Sequence, residues 1–125
     1  MSYNLALADR IRLYLNGVPK LKVKEKTMFS GIAFLVNGKM CINVSGENLM
    51  CRIDPDVRDE VVDRKGFIPM IMRGKELKGY CYVMPDGFRA KEDFEFWIQL
   101  CLAFNPKAKA SKTKAKAAKK SKKSI

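Results

Sequence analysis

Histidine is absent from this chain, and that one absence removes most of the common catalytic designs. Without an imidazole there is no Ser–His or Cys–His pair to make a nucleophile. The cysteines, Cys41, Cys51, Cys81 and Cys101, stand far apart with no Cys-x-x-Cys pair, so the usual zinc and haem signatures are missing too. No Gly-x-Gly-x-x-Gly or P-loop occurs; Gly31, Gly38, Gly46, Gly74 and Gly79 all fall at strand ends or turns. Long apolar runs are lacking, none approaching the roughly 18 residues that a membrane span needs. The opening MSYNLALADR turns polar and acidic within its first ten residues, which does not read as a signal peptide. These absences point to a cytoplasmic chain with reduced, buried thiols, no metal, no cofactor and no catalytic site. The close carboxylates fit that reading. Asp54 and Asp56 open one expected helix, and Glu92, Asp93 and Glu95 another, where negative charge favours the helix dipole.

Acid is absent from one further place. Residues 105–125 hold nine lysines and no carboxylate, leaving 16 basic against 13 acidic residues in 1–104. The body is thus near +3, the tail carries +9 of the net +12, and the pI of 9.7 mostly describes the tail. The pattern KAKASKTKAKAAKKSKK has no aromatic residue and cannot bury a core, so 105–125 is expected to be a disordered lysine-rich tail behind a folded domain, 1–104. Lysines spread along such a segment neutralise phosphates and release counterions without reading bases. Lys107, Lys109, Lys112, Lys114, Lys116, Lys119, Lys120, Lys122 and Lys123 are therefore the candidate nucleic-acid-binding residues. A merely solubilising tail is the plain alternative. An anionic membrane is a weaker one, because only Ile125 offers an apolar side chain to insert.

In the body, Asn4 can cap a helix to about Leu15, with Leu5, Ala8, Ile11 and Leu15 on one face, and Asn16-Gly17 and Pro19 stop it. Lys20–Lys26 alternates basic and apolar residues as an edge strand would, its lysines discouraging edge-to-edge pairing. Gly31–Val36 and Lys39–Val44 flank Asn37-Gly38, a strong hairpin signal. Ser45-Gly46 then turns the chain into Asn48–Ile53. This register sets Phe34 opposite Cys41, and Cys41 opposite Cys51. The two thiols read as small core residues, with a redox pair as the alternative. Asp54-Pro55 opens a short helix that Gly66 ends. Phe67–Met72 and Gly79–Met84 follow as strands, and Lys91–Phe104 as a helix with Phe94, Trp97, Ile98, Cys101 and Leu102 on one face, closed by Asn105-Pro106.

The order is helix, three strands (four with Lys20–Lys26), helix, two strands, helix. With so few helices the expected fold is α+β in two layers, an antiparallel sheet with its helices on one face. The strands are apolar on both sides, so the uncovered face implies a homodimer or a protein partner. Phe29, Phe34, Tyr80 and Tyr82 on candidate strands could stack bases, though sheet aromatics more often belong to a core.

Lys26-Thr27-Met28-Phe29-Ser30-Gly31-Ile32-Ala33-Phe34-Leu35-Val36-Asn37-Gly38-Lys39-Met40 resembles the hallmark segment of the N-terminal domain of TfoX/Sxy competence regulators. So do Leu49 to Arg52, Leu77-Lys78-Gly79-Tyr80-Cys81-Tyr82-Val83, and Trp97 with its apolar helix. The likeness covers about residues 4–104. Ser30 stands where the family usually has a second glycine. Full-length competence regulators continue into a helical C-terminal domain, whereas this chain reads as the stand-alone N-terminal type with a lysine tail. The resemblance implies a secretion-chaperone-like fold, α-β(3)-α-β(2)-α, and a regulatory or partner role in transcription control of DNA-uptake genes. It supplies no catalytic or ligand residues.

Two functions from different classes remain. One is a regulatory or nucleoid-associated accessory protein whose tail holds nucleic acid. The other is a protein-interaction module that docks through its sheet face. If the body rather than the tail met nucleic acid, Lys20, Lys22, Lys24 and Lys26 would be the residues to do it.

Overall fold

A computed structural model describes residues 3–28 and 31–108. Helix α1 (Leu5–Asn16) is followed by β1 (Val23–Met28), β2 (Gly31–Val36), β3 (Lys39–Ser45) and β4 (Asn48–Arg52). A 3-10 turn at Pro55–Val57 runs into the short α2 (Arg58–Val61), then come β5 (Phe67–Met72), β6 (Lys75–Val83) and α3 (Lys91–Phe104). The strands form one antiparallel sheet in the order β1-β2-β3-β4-β6-β5. The expected two-layer α+β class holds. The first run contains four strands because Val23–Met28 pairs along the whole of β2, from Val23 against Val36 to Met28 against Gly31.

Local chemistry explains the ends. Asn4 caps α1 by accepting from the Leu7 N–H at 2.9 Å, and Leu7, Ala8, Ile11 and Leu15 are the face that α1 buries. Asp54 does the same for the 3-10 turn, accepting from the Asp56 N–H, with Pro55 just inside the start. Gly31 is a matter of room: a Cβ there would sit 1.9 Å from the Val44 carbonyl oxygen.

All three helices send their buried side chains into the same cluster. Leu7, Ile11 and Leu15 of α1, Val61 of α2, and Phe94, Trp97, Ile98 and Cys101 of α3 meet Ile32, Phe34, Val36, Ile42, Val44, Leu49, Cys51, Cys81 and Val83 of the sheet. Trp97, at 0% exposure, is the largest side chain in it. Truncating such a residue to alanine costs about 3–5 kcal/mol, so this one change would undo much of the domain's stability. Arg12 closes the rim, its guanidinium donating to both Glu25 carboxylate oxygens at 2.6 and 2.7 Å. That pair holds Glu25 below the ordinary carboxylate range.

The register differs from the expected one in two places. Val36 faces Lys39 and Leu35 faces Met40, but Phe34 then faces Ile42, so Cys41 is the extra residue of a β-bulge. Phe34 therefore does not oppose Cys41. Separately, the next turn is the two residues Gly46-Glu47 and not one centred on Gly46, so the residue opposite Cys51 on β3 is Ile42. The cross-strand partner of Cys51 on its other side is Cys81.

Candidate interaction surfaces

α3 ends at Phe104, but the fold continues. Asn105–Lys107 makes a 3-10 turn, Asn105 is 4% exposed, and Ala108 is buried against the body. The Asn105 amide donates to the Val36 carbonyl at 3.1 Å, and Lys39 Nζ lies 3.4 and 3.3 Å from the carbonyls of Asn105 and Pro106. The expected boundary at 104/105 thus falls inside a packed segment, and the root of the lysine run is pinned beside the β2–β3 turn. Lys107 is exposed, with Nζ 3.5 Å from an Asp54 carboxylate oxygen. Lys109, Lys112, Lys114, Lys116, Lys119, Lys120, Lys122 and Lys123 lie outside the described residues, as do Phe29 and Ser30.

Lys20, Lys22, Lys24 and Lys26 are exposed. Lys24 faces Leu35 and Lys26 faces Ala33, which sets both on the side of the sheet away from the helices. The same alternation puts Leu35, Met40, Asn43, Met50, Arg52, Tyr80 and Tyr82 on that side. Phe34 is on the other side, fully buried under the helices, and offers no stacking surface.

This helix-free face is not the bare apolar surface that the alternating pattern suggests. Ala33, Asn43 and Met50 are buried and Leu35, Met40, Arg52, Tyr80 and Tyr82 half-buried, because long side chains cover one another. Arg52 lies over the Tyr80 ring at 5.8 Å and donates to the Met40 carbonyl at 3.3 Å. At the centre, Asn43 is 2% exposed. Its amide nitrogen meets only the thioethers of Met40 and Met50, at 3.4 and 3.5 Å, and its Oδ1 has no partner. Sulfur is a weak acceptor, so this buried amide is poorly satisfied on both sides.

The thiols lie inside the core. All four cysteines are buried and unpaired. Burial, then the neighbouring Cys101, pushes the Cys41 thiol well above its ordinary value. Hydrogen bonding with Cys101 and Cys81, together with burial, does the same for Cys51. A thiol held protonated is a poor nucleophile. Ile53 N–H donates to the Gly79 carbonyl at 2.9 Å two residues along, which makes Cys51 and Cys81 a hydrogen-bonded cross-strand pair. Cβ atoms in such a pair stand about 5.5 Å apart, wider than the roughly 3.8 Å of a disulfide. Among the described residues, no group of His, Cys, Asp and Glu side chains is placed to hold a metal ion, and no helix is long and apolar enough to cross a membrane. A cleft of about 90 Å³ lined by Arg64, Lys65, Gly87 and Asp93 is far below the roughly 300 Å³ at which ligand pockets begin.

The largest exposed apolar side chains are elsewhere: Leu5 and Leu13 on α1, Met84, and the neighbours Ile71 and Met72 at the end of β5. The last pair lies within the expected strand Phe67–Met72, whose sequence FIPMIM does not mark its end as exposed.

A family model described as the TfoX N-terminal domain matches residues 14–105. No curated protein and no solved structure matches the chain.

Proposed function

The chain belongs to the TfoX N-terminal domain family, and on that premise we propose that it is a non-enzymatic regulatory or nucleoid-associated accessory protein of the cytoplasm, held on nucleic acid by its lysine tail. The observation that carries this reading is the segregation of charge, nine lysines and no acid in the last 21 residues. The anchored root supports it: Asn105 and Lys39 fix where the lysine run leaves the body, so phosphate bound by the tail stays close to the domain. Contacts of this kind give affinity without base specificity. Selection of a target then falls to a partner of the folded body.

The test is a titration of duplex DNA with the full chain and with residues 1–108, at several salt concentrations. The cut follows Ala108 because Asn105 and Ala108 belong to the packed domain. It removes eight lysines. At about 0.9 per phosphate, full engagement of those lysines adds about 7 to the slope of log affinity against log salt. Loss of most binding and of that slope is expected. Equal binding by the shortened chain would overturn the role of the tail and turn attention to Lys20, Lys22, Lys24 and Lys26.

A second reading has its own observation. The methionine- and tyrosine-lined face around Asn43 keeps a buried carbonyl without a donor. A protein partner or a second copy of the chain seated there could supply one, making the domain an interaction module with no direct nucleic-acid role. Concentration-dependent sedimentation of residues 1–108 distinguishes it, since a clean monomer removes the second copy.

A further inference from the structure

β4 pairs with only the last part of β6, Tyr80–Val83. Beyond it, β5 and β6 continue as a two-stranded ribbon, with Ile71 against Glu76 and Met72 against Lys75. Arg73 and Gly74 close it, both with positive φ, as the tightest hairpin turns require. One face is braced from base to tip: Arg58 lies 5.8 Å from the Phe67 ring and donates to both oxygens of Glu76, the partner of Ile71, at 2.6 and 2.8 Å.

The tip has an unusual composition. Ile71 is 58% and Met72 53% exposed, where turns normally carry polar residues. Arg73, Lys75 and Lys78 surround them, all exposed and without a carboxylate partner among the described residues. Glu76, the only acid of the hairpin, is taken by Arg58. Ile71 shares one face of the ribbon with Glu76 and Met72 the other with Lys75, so the tip carries an apolar side chain on each face, with exposed cations beside them.

We propose that the β5–β6 hairpin is a second nucleic-acid contact, with Ile71 and Met72 wedged against the bases of a duplex from the minor groove and Arg73, Lys75 and Lys78 on the flanking phosphates. This rests on the reading of the protein as a nucleic-acid binder and adds to it a site that deforms the duplex. Isoleucine and methionine are among the side chains that partly unstack base steps in this way, and basic neighbours offset the charge of the narrow groove. Charge complementarity favours this occupant over a protein surface, which would be met by mixed signs at the rim. A bilayer would select tyrosine or tryptophan at the tip. Here Phe67, Tyr80 and Tyr82 are all at the base of the hairpin. Pyrimidine–purine steps, the easiest to open, should bind best.

The experiment uses the full chain and a short duplex carrying 2-aminopurine at a central TA step, whose fluorescence rises on unstacking. Ile71→Ser/Met72→Ser removes the wedge and leaves every charge. Arg73→Asn/Lys75→Ser removes part of the flanking charge, with asparagine tolerating the positive φ at 73. Both sites are exposed, so thermal unfolding should not move. The wild-type chain should raise the fluorescence. The serine variant should lose that rise and weaken binding about tenfold with its salt slope intact, whereas the charge variant should lose about 2 from the slope. Wild-type binding without a fluorescence rise, or a serine variant that behaves as wild type, overturns the inference and leaves the tail reading standing. Normal behaviour after tail removal together with loss in the hairpin variants does the reverse. Absence of any duplex binding by the full chain overturns both. Loss of binding to anionic vesicles in the serine variant, with duplex binding unchanged, assigns the tip to membrane and overturns the nucleic-acid contact.

Discussion

Replacing Asn43 by leucine should stabilise the isolated domain. The asparagine is 2% exposed in the middle of the helix-free face, so its amide has lost its water. In exchange the nitrogen has two thioether contacts at 3.4 and 3.5 Å and the oxygen has nothing. A buried polar atom left unpaired costs about 1–3 kcal/mol, and the weak sulfur contacts return little of it. Leucine branches at the same carbon, suits a strand better than asparagine, and presses only on two flexible methionines. Allowing for some crowding, the net gain should be about 1–2 kcal/mol. In urea this appears as a midpoint about 1 M higher at unchanged slope, for a slope of about 1–2 kcal/mol per molar. Asn43→Asp, which buries an unpaired charge, should move the midpoint strongly the other way. A leucine variant less stable than wild type by more than about 1 kcal/mol would refute the reasoning, because the carbonyl must then have a partner. A loss that grows with protein concentration would identify that partner as a second copy of the chain.

Two shorter predictions follow from the core and the tail root. Cys41 and Cys51 are held protonated in the fold, so above their ordinary value near 9 the unfolded chain releases protons that the folded chain keeps. Stability contributed by these thiols is complete below about pH 9 and declines above it, by up to about 1.4 kcal/mol per pH unit for each thiol, and unfolding at pH 9–11 should be less steeply pH-dependent in Cys51→Ala. Asn105→Ala leaves the Val36 carbonyl without its buried donor and should cost about 1–3 kcal/mol in chemical denaturation, whereas Lys107→Ala, which breaks an exposed ion pair with Asp54, should change stability by less than about 0.5 kcal/mol.

The elements that could be read in advance are those whose signals are local. Asn37-Gly38 sets its hairpin, Asn4 and Asp54-Pro55 cap their helices, and the spacing of Phe94, Trp97, Ile98 and Cys101 gives the buried face of α3. What escaped is set by contacts between distant parts. The bulge at Cys41 has no glycine to announce it, and it moves Ile42 into the place expected of Cys41 opposite Phe34; opposite Cys51 the same exchange comes from the two-residue turn Gly46-Glu47. Asn105-Pro106 reads as a stop, yet a side chain reaching 69 residues back to Val36 carries the domain on to Ala108. Apolar alternation cannot tell a face that a partner covers from one that covers itself with methionine, tyrosine and arginine. The tail lysines were legible as charge. The hairpin tip was not, since only the extent of β4 leaves Ile71 and Met72 beyond the sheet.

The strand order also governs how the domain assembles. β1, β2 and β3 each pair with the next strand in the chain, and β5 pairs with β6, so nearly all of the ladder closes over short loops. The exception is β4 against β6, where Leu49 meets Val83 and Arg52 meets Tyr80, 34 and 28 residues apart. Loop-closure entropy is thus concentrated in one event, the joining of a four-strand meander to a preformed hairpin. That seam carries Cys51 and Cys81, so the two thiols are covered only when the two halves of the chain have found each other. The rate at which they become unreactive during refolding is a direct clock for that step.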